Sequence, residues 1–243
     1  MCGRYFLAAD GAALAARFGL AEVPPWTPRY NLAPGQALPV LRLLPGGRRL
    51  DRLQWGLVPH WMREPGVRSR PINARAETVG ERPLFRDAWR RGQRCLVPAS
   101  GFYEWDRGHR PAQPWAIAAE DGDLLAFAGL WDRWLAPGGG RAGEFRDPDT
   151  VGRASGGGAP SSACPVLVPP HHERLWLEGP PAAAEALLAL GHEVALRAWP
   201  VSTRVNAVRE EGPELIRPLP GAPDSTFRPS RGPKLWLHLV GVR

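Results

Sequence analysis

Apolar positions along the chain follow two patterns. In "DGAALAARFGL" they recur at three- and four-residue spacing behind Asp10 and stop at Gly19, which predicts a helix capped by Asp10 and ended by that glycine. "PPAAAEALLALG" opens on prolines, continues through good helix formers and stops at Gly191, predicting a second helix. Between residues 36 and 135 the apolar residues come instead in short runs bounded by Gly and Pro: "ALPVLRLL", "LQWGLVP", "RCLVPASGFYEW", "PWAIAAE" and "LLAFAGLW". These read as strands, several of them buried. Few helices and many short strands predict an α+β fold, largely antiparallel, in a single domain with a barrel-like core and flanking helices.

Residues 136–165 break this pattern. "PGGGRAGEFRDPDTVGRASGGGAPSSACP" is rich in Gly, Pro, Ser and charge, and reads as a flexible insertion or surface loop. The expected organisation is one domain over residues 1–220 carrying this insertion, followed by a C-terminal tail over 221–243. The tail is rich in Pro and Arg but ends in "KLWLHLVGVR", a stretch able to add a last strand. No internal repeat is visible.

Composition narrows the class. A chain of 243 residues that is 44% hydrophobic has enough apolar side chain for a sizeable core. No apolar run of membrane-spanning length and no signal-like N-terminus is present, so a cytoplasmic protein without a membrane partner is expected. Cys2, Cys95 and Cys164 are odd in number and lack CxxC spacing, which argues against a disulfide framework and a zinc site. The net charge of +7, carried almost wholly by arginine, favours an anionic partner, with nucleic acid foremost; a compositional bias towards Arg, Ala, Gly and Pro accounts for part of it.

Four places carry candidate chemistry. Removal of Met1 turns Cys2 into a 1,2-aminothiol, whose amine and thiol, with ordinary pKa values of about 7.7–8.0 and about 8.5, are both partly nucleophilic near neutrality. The natural target of that pair is an aldehyde, which it closes into a thiazolidine. In "PINARAETV", Asn73, Arg75 and Glu77 share one face if the segment is a strand. In "PASGFYEWD", Glu104 stands between Tyr103 and Trp105, surroundings that suit proton transfer. "PPHHERLW" supplies His171, His172 and Arg174 just ahead of the second helix. Trp55 and Trp61 of "WGLVPHW" read either as core or as platforms for unpaired bases.

Taken in order, "MCGRY", "YNLAP", "WGLVPHW", "INARAET", "RCLVPASGFYEW", "AFAGLW" and "PVSTRVNAVREEGPELI" resemble the SOS response-associated peptidase family, over residues 1 to about 135 and again over about 171–219. The resemblance implies a protein of the DNA damage response that processes abasic sites in single-stranded DNA. It removes its own initiator methionine and crosslinks the ring-opened sugar through Cys2. By motif, Asn73 positions Cys2, Glu104 is the acid/base group, and His172 of "HER" assists proton transfer in strand scission or crosslink reversal. Arg4, Arg75 and Arg174 hold phosphates, and Trp61 or Trp105 packs near exposed bases. No metal or cofactor is implied, and a monomer is expected, nucleoid-associated when bound to DNA.

The chain departs from the family pattern in one region. Where the family has a "TILTT.AN" strand ahead of "H-x-RMP", this sequence has "GRASGGGAPSSACPVLVPP", and "RMP" is replaced by "RLW", which leaves His171 and His172 as alternatives. Two other functions remain open: a cysteine peptidase acting on other proteins, with Cys2 as nucleophile, and a single-stranded DNA-binding module without chemistry.

Overall fold

Asp10 and Gly19 bound the first helix as their chemistry requires. In the computed structural model the Asp10 carboxylate accepts from the Ala13 N–H at 2.8 Å, and Gly19 takes the left-handed conformation with φ of 62°. The structure describes residues 3–63, 70–106, 108, 110–134, 163–190, 194–221, 225–227 and 234–242. They form four α-helices, α1 (Gly11–Phe18), α2 (Arg86–Arg90), α3 (Pro170–Glu178) and α4 (Pro181–Leu190). The strands are β1 (Tyr5–Leu7), β2 (Arg29–Leu32), β3 (Ala37–Leu44), β4 (Gly47–Trp55), β5 (Asn73–Arg75), β6 (Arg94–Ala99), β7 (Gly101–Asp106), β8 (Gln113–Ala119), β9 (Leu125–Arg133), β10 (Ala163–Pro165), β11 (Leu196–Pro200), β12 (Ser225–Phe227) and β13 (Lys234–Val242).

Strands β13, β4, β3, β6 and β9 close on themselves into a five-stranded barrel, with β5 and β10 also paired to β13. An odd number of strands cannot alternate direction all the way round. The parallel contact that this forces is β13 with β9, where His238 stands opposite Gly129. A second sheet, ordered β12–β11–β8–β7–β1–β2, is antiparallel and lays one face on the barrel. Tyr5, Leu7, Phe102 and Ile117 from that face join Leu41, Trp55, Leu96 and Phe127 of the barrel in the main core. Phe6, Tyr103 and Ala116 point the other way and pack with Trp199, Val201 and Val205 in a smaller cluster. The fold is thus a single-domain α+β architecture with mostly antiparallel sheets.

Each apolar run read as a strand overlaps one, "LQWGLVP" only through the last three residues of β4, and "RCLVPASGFYEW" contains two, broken at Ser100. Two short helices, α2 and α3, had no clear signal. α3 is held by contacts rather than by propensity: its Trp176 N–H donates to the Cys95 carbonyl at 2.8 Å, and Glu173 pairs with Arg17 of α1 at 2.6 Å. The predicted end of the second helix at Gly191 lies outside the described residues, as does 136–162 of the expected insertion. Ala163–Pro165, read as the end of that insertion, is instead β10, with Cys164 buried. Among the described residues no helix is long and apolar enough to cross a membrane.

Candidate functional site

Strand β1 brings the start of the chain against β7. Tyr5 pairs with Phe102, and the Tyr103 N–H donates to the Arg4 carbonyl at 3.0 Å. Continuing that register sets Gly3 opposite Glu104. Glu104 is only 5% exposed and shares its face of β7 with Phe102, towards the barrel, across from Trp115 of β8. Its sequence neighbours Tyr103 and Trp105 lie on the opposite face, so the aromatic surroundings of this carboxylate come from Phe102 and Trp115.

Asn73 lies on β5, the short strand paired with β13. It is 8% exposed and stands opposite His238 of β13, with both side chains on one face. The expected strand is shorter than its pattern suggested. β5 ends at Arg75, which is exposed, and the chain turns into a 3-10 segment over Ala76–Thr78 that carries Glu77 away from Asn73. Tyr5 joins the two sheets here: its ring meets Trp55, Phe127 and His238 edge-on at centroid distances of 5.6, 5.8 and 6.4 Å.

The segment 200–216 braces the N-terminal strands from the other side. Asn31 of β2 is fully buried, and its amide N–H donates to the carbonyls of Ala207 at 3.0 Å and Glu210 at 2.9 Å. Arg4, expected to hold phosphate, is only 6% exposed, and its guanidinium donates to Asn31 Oδ1 and to the Val205 carbonyl, both at 2.7 Å. It ties β1 to β2 and to this segment, because a buried guanidinium needs acceptors around it. Trp105 is half-buried and donates its indole N–H to Asn206 Oδ1 at 2.7 Å. Burial pushes the Tyr103 phenol far up, so it stays protonated and donates to the Tyr30 carbonyl at 2.7 Å.

Trp61 is 48% exposed, in the loop after β4. Buried Asp132 of β9 pins that loop, accepting from the His60 main-chain N–H at 3.0 Å and from Arg91 at 3.2 Å. Arg174 is exposed on α3 and paired with Glu178 one turn on, at 2.9 Å. His172 lies on α3 beside His171, ring centroids 4.2 Å apart, and α3 packs on β6, β3 and α4, elements that carry neither Asn73 nor Glu104. Cys2 lies outside the described residues. Among the described residues no group of three His, Cys, Asp or Glu side chains is placed to hold a metal ion.

Glu104 is therefore aligned by register with the start of β1, Asn73 is linked to β1 through His238 and Tyr5, Trp61, Arg75 and Arg174 present themselves to solvent, and Arg4 is spent inside. Sequence reading missed two residues. Asn31 sits within "YNLAP" without a distinguishing pattern, and His238 is a lone histidine in an apolar strand, a setting that usually means core.

Comparison with known proteins gives the family. The family model described as SOS response associated peptidase (SRAP) matches residues 1–208. The abasic site processing protein YoqW of Bacillus subtilis is 31% identical over 233 residues, covering 89% of this chain and 99% of that protein. The abasic site processing protein HMCES of Xenopus tropicalis is 30% identical over 221 residues, covering 79% of this chain and 66% of that protein. Among solved structures, a protein from Bacteroides thetaiotaomicron shares the fold with a TM-score of 0.69 at 19% identity, covering 90% of this chain and all of that one. A protein from Bordetella bronchiseptica gives a TM-score of 0.62 at 26% identity over 83% of this chain. With the family model spanning most of its length, the chain belongs to the SOS response associated peptidase family.

Proposed function

We propose that this protein processes abasic sites in single-stranded DNA by capturing the ring-opened sugar covalently on Cys2, after its own removal of Met1. The observation that carries this reading is the register of β1 on β7, which sets Gly3, one residue after Cys2, opposite the buried Glu104 carboxylate. The names of its relatives YoqW and HMCES supply the substrate class.

The chemistry follows from the aminothiol. The Cys2 amine adds to the C1′ aldehyde, and the resulting carbinolamine loses water to give an imine. The thiol then adds across the C=N bond, closing a thiazolidine, with one water released overall. Glu104 carries the protons, taking one from the nitrogen as the amine adds and returning one to the leaving hydroxyl. Asn73, on β5 beside the barrel strand β13, orients the reacting groups by hydrogen bonding. The exposed Trp61, Arg75 and Arg174 hold bases and phosphates of the flanking strand. The proton-transfer role that the family resemblance gives to His172 sits on α3, so in this reading it serves later steps, scission or reversal, and not capture.

The test is to mix the purified protein with an oligonucleotide bearing one abasic site and look for a complex that survives denaturation. Mass spectrometry is expected to find the adduct on Cys2 with Met1 absent, and Cys2→Ala to abolish the complex while retaining salt-sensitive DNA binding. An undiminished complex in Cys2→Ala sinks the proposal. Turnover of an unrelated peptide substrate would favour a general cysteine peptidase instead.

A further inference from the structure

One buried titratable side chain near this site has no part in the reading above. His238 is fully buried in β13, beyond residue 208 where the family match ends. Its ring is sandwiched between Phe127 and Trp55, with centroid distances of 4.8 and 5.3 Å and interplanar angles of 19° and 30°. Among the described residues neither Nδ1 nor Nε2 has a hydrogen-bond partner. A phenylalanine would fill the same slot without leaving polar atoms unpaired, so the imidazole costs stability that packing does not return. Burial also pushes its pKa down to about 3, which keeps it uncharged at any ordinary pH.

Its position gives the nitrogens a use. His238 stands directly across the ladder from Asn73 on the same face. Tyr5, three residues after Cys2, meets its ring edge-on. Arg75, two residues on from Asn73 along β5, is open to solvent. The imidazole therefore lies between Asn73 and Tyr5, the strand residue that leads back to the start of the chain.

We propose that His238 is a catalytic residue of sugar capture, its neutral ring N–H holding the aldehyde oxygen while the Cys2 amine adds to C1′. The assignment rests on the crosslinking reading. As the amine lone pair forms the C–N bond, the carbonyl π pair moves onto oxygen, which the N–H stabilises. The proton lost from nitrogen reaches that oxygen by way of Glu104, and the hydroxyl later leaves as water. The imidazole neither gains nor loses a proton. A neutral donor in a dry, apolar slot suits this role, because a developing oxyanion is stabilised most where no water competes.

Three full-length variants test it: His238→Phe, His238→Asn and His238→Gln. Each is measured for melting temperature, for affinity towards a single strand carrying a stable ring-closed abasic analogue, and for single-turnover crosslinking rate. His238→Phe is expected to melt no lower than the parent and to bind the analogue within about twofold. It is expected to crosslink at least about tenfold more slowly, as when one oxyanion donor is lost. One amide variant is expected to recover part of the rate, Asn if Nδ1 is the donor and Gln if Nε2 is. Crosslinking by His238→Phe at the parental rate overturns the assignment. If that variant does not fold, the folded amide variants decide: parental rates in both overturn it, and a loss of about tenfold in one at unchanged affinity supports it. No adduct in the parent itself removes the crosslinking reading, and this assignment with it; an adduct in the parent that is indifferent to His238 removes only this one.

Discussion

The Arg4 guanidinium donates to the Val205 carbonyl at 2.7 Å, tying the strand that follows the N-terminus to a residue 201 positions later. The same group holds Asn31 Oδ1, so one buried cation fixes β1, β2 and the 200–216 segment together. Arg4→Ala removes a charge-assisted pair of bonds from Asn31 Oδ1 and the Val205 carbonyl, and is expected to cost about 2–4 kcal/mol. Thermal or urea unfolding measures that loss. The salt dependence of DNA binding is expected to keep its parental slope in the still-folded population, because the Arg4 guanidinium is buried and engaged by Asn31 and Val205; a slope reduced by about one would mean that it also meets a phosphate.

Glu104 is the proton carrier of the proposed reaction. Glu104→Gln keeps its shape and is expected to slow crosslinking by about 10²- to 10⁴-fold, with analogue binding little changed. Rate and affinity measured on the same preparation separate proton transfer from binding. Equal losses in both would make Glu104 a structural carboxylate.

Acid stability reports on His238. Its folded pKa of about 3 lies below the ordinary 6.5, so between those values the unfolded chain binds a proton that the folded one refuses. Among the described residues Phe127, Trp55, Tyr5 and Asn73 face the ring, and none of these carries a compensating charge. The stability is fully present above pH 6.5 and falls as pH drops from there towards 3, by up to about 1.4 kcal/mol per pH unit from this group. Urea denaturation from pH 7 to pH 4 is expected to show that slope in the parent and a shallower one in His238→Phe.

Close strand packing makes Gly129 irreplaceable. A Cβ there would stand 2.8 Å from Cys95 Sγ and 3.1 Å from the His238 carbonyl, with β6 on one side and β13 on the other. Gly129→Ala is expected to cost about 1–3 kcal/mol by overpacking, read as a lowered melting temperature. A variant as stable as the parent would mean that β9 and β13 do not meet as described.

Trp61 and Asp132 are expected to separate binding from stability. Trp61→Ala removes an exposed ring and is expected to weaken single-strand binding by about 1–3 kcal/mol at unchanged melting temperature. Asp132→Ala frees the loop that presents that ring and takes the carboxylate partner from Arg91, so both quantities are expected to fall. Fluorescence anisotropy with a labelled single strand measures the first and thermal unfolding the second.

Local chemistry alone settled much of this protein. The Asp10 cap and the Gly19 stop fixed α1, and runs bounded by Gly and Pro marked the strands from 36 to 133, because caps, turns and alternation act over a few residues. The motifs around Asn73 and Glu104 were legible for the same reason. Register and closure were not. Whether Glu104 points to water or to the barrel depends on which strand lies beside β7. Arg4 looks like a phosphate ligand until Asn31 and Val205 arrive from far along the chain. The last strand is the sharpest case. "KLWLHLVGVR" reads as a possible edge addition to a tail, yet β13 closes the barrel and sets His238 against Asn73. A histidine among leucines carries no signal of its own; its meaning comes from the aromatic rings and the strand that long-range packing puts around it.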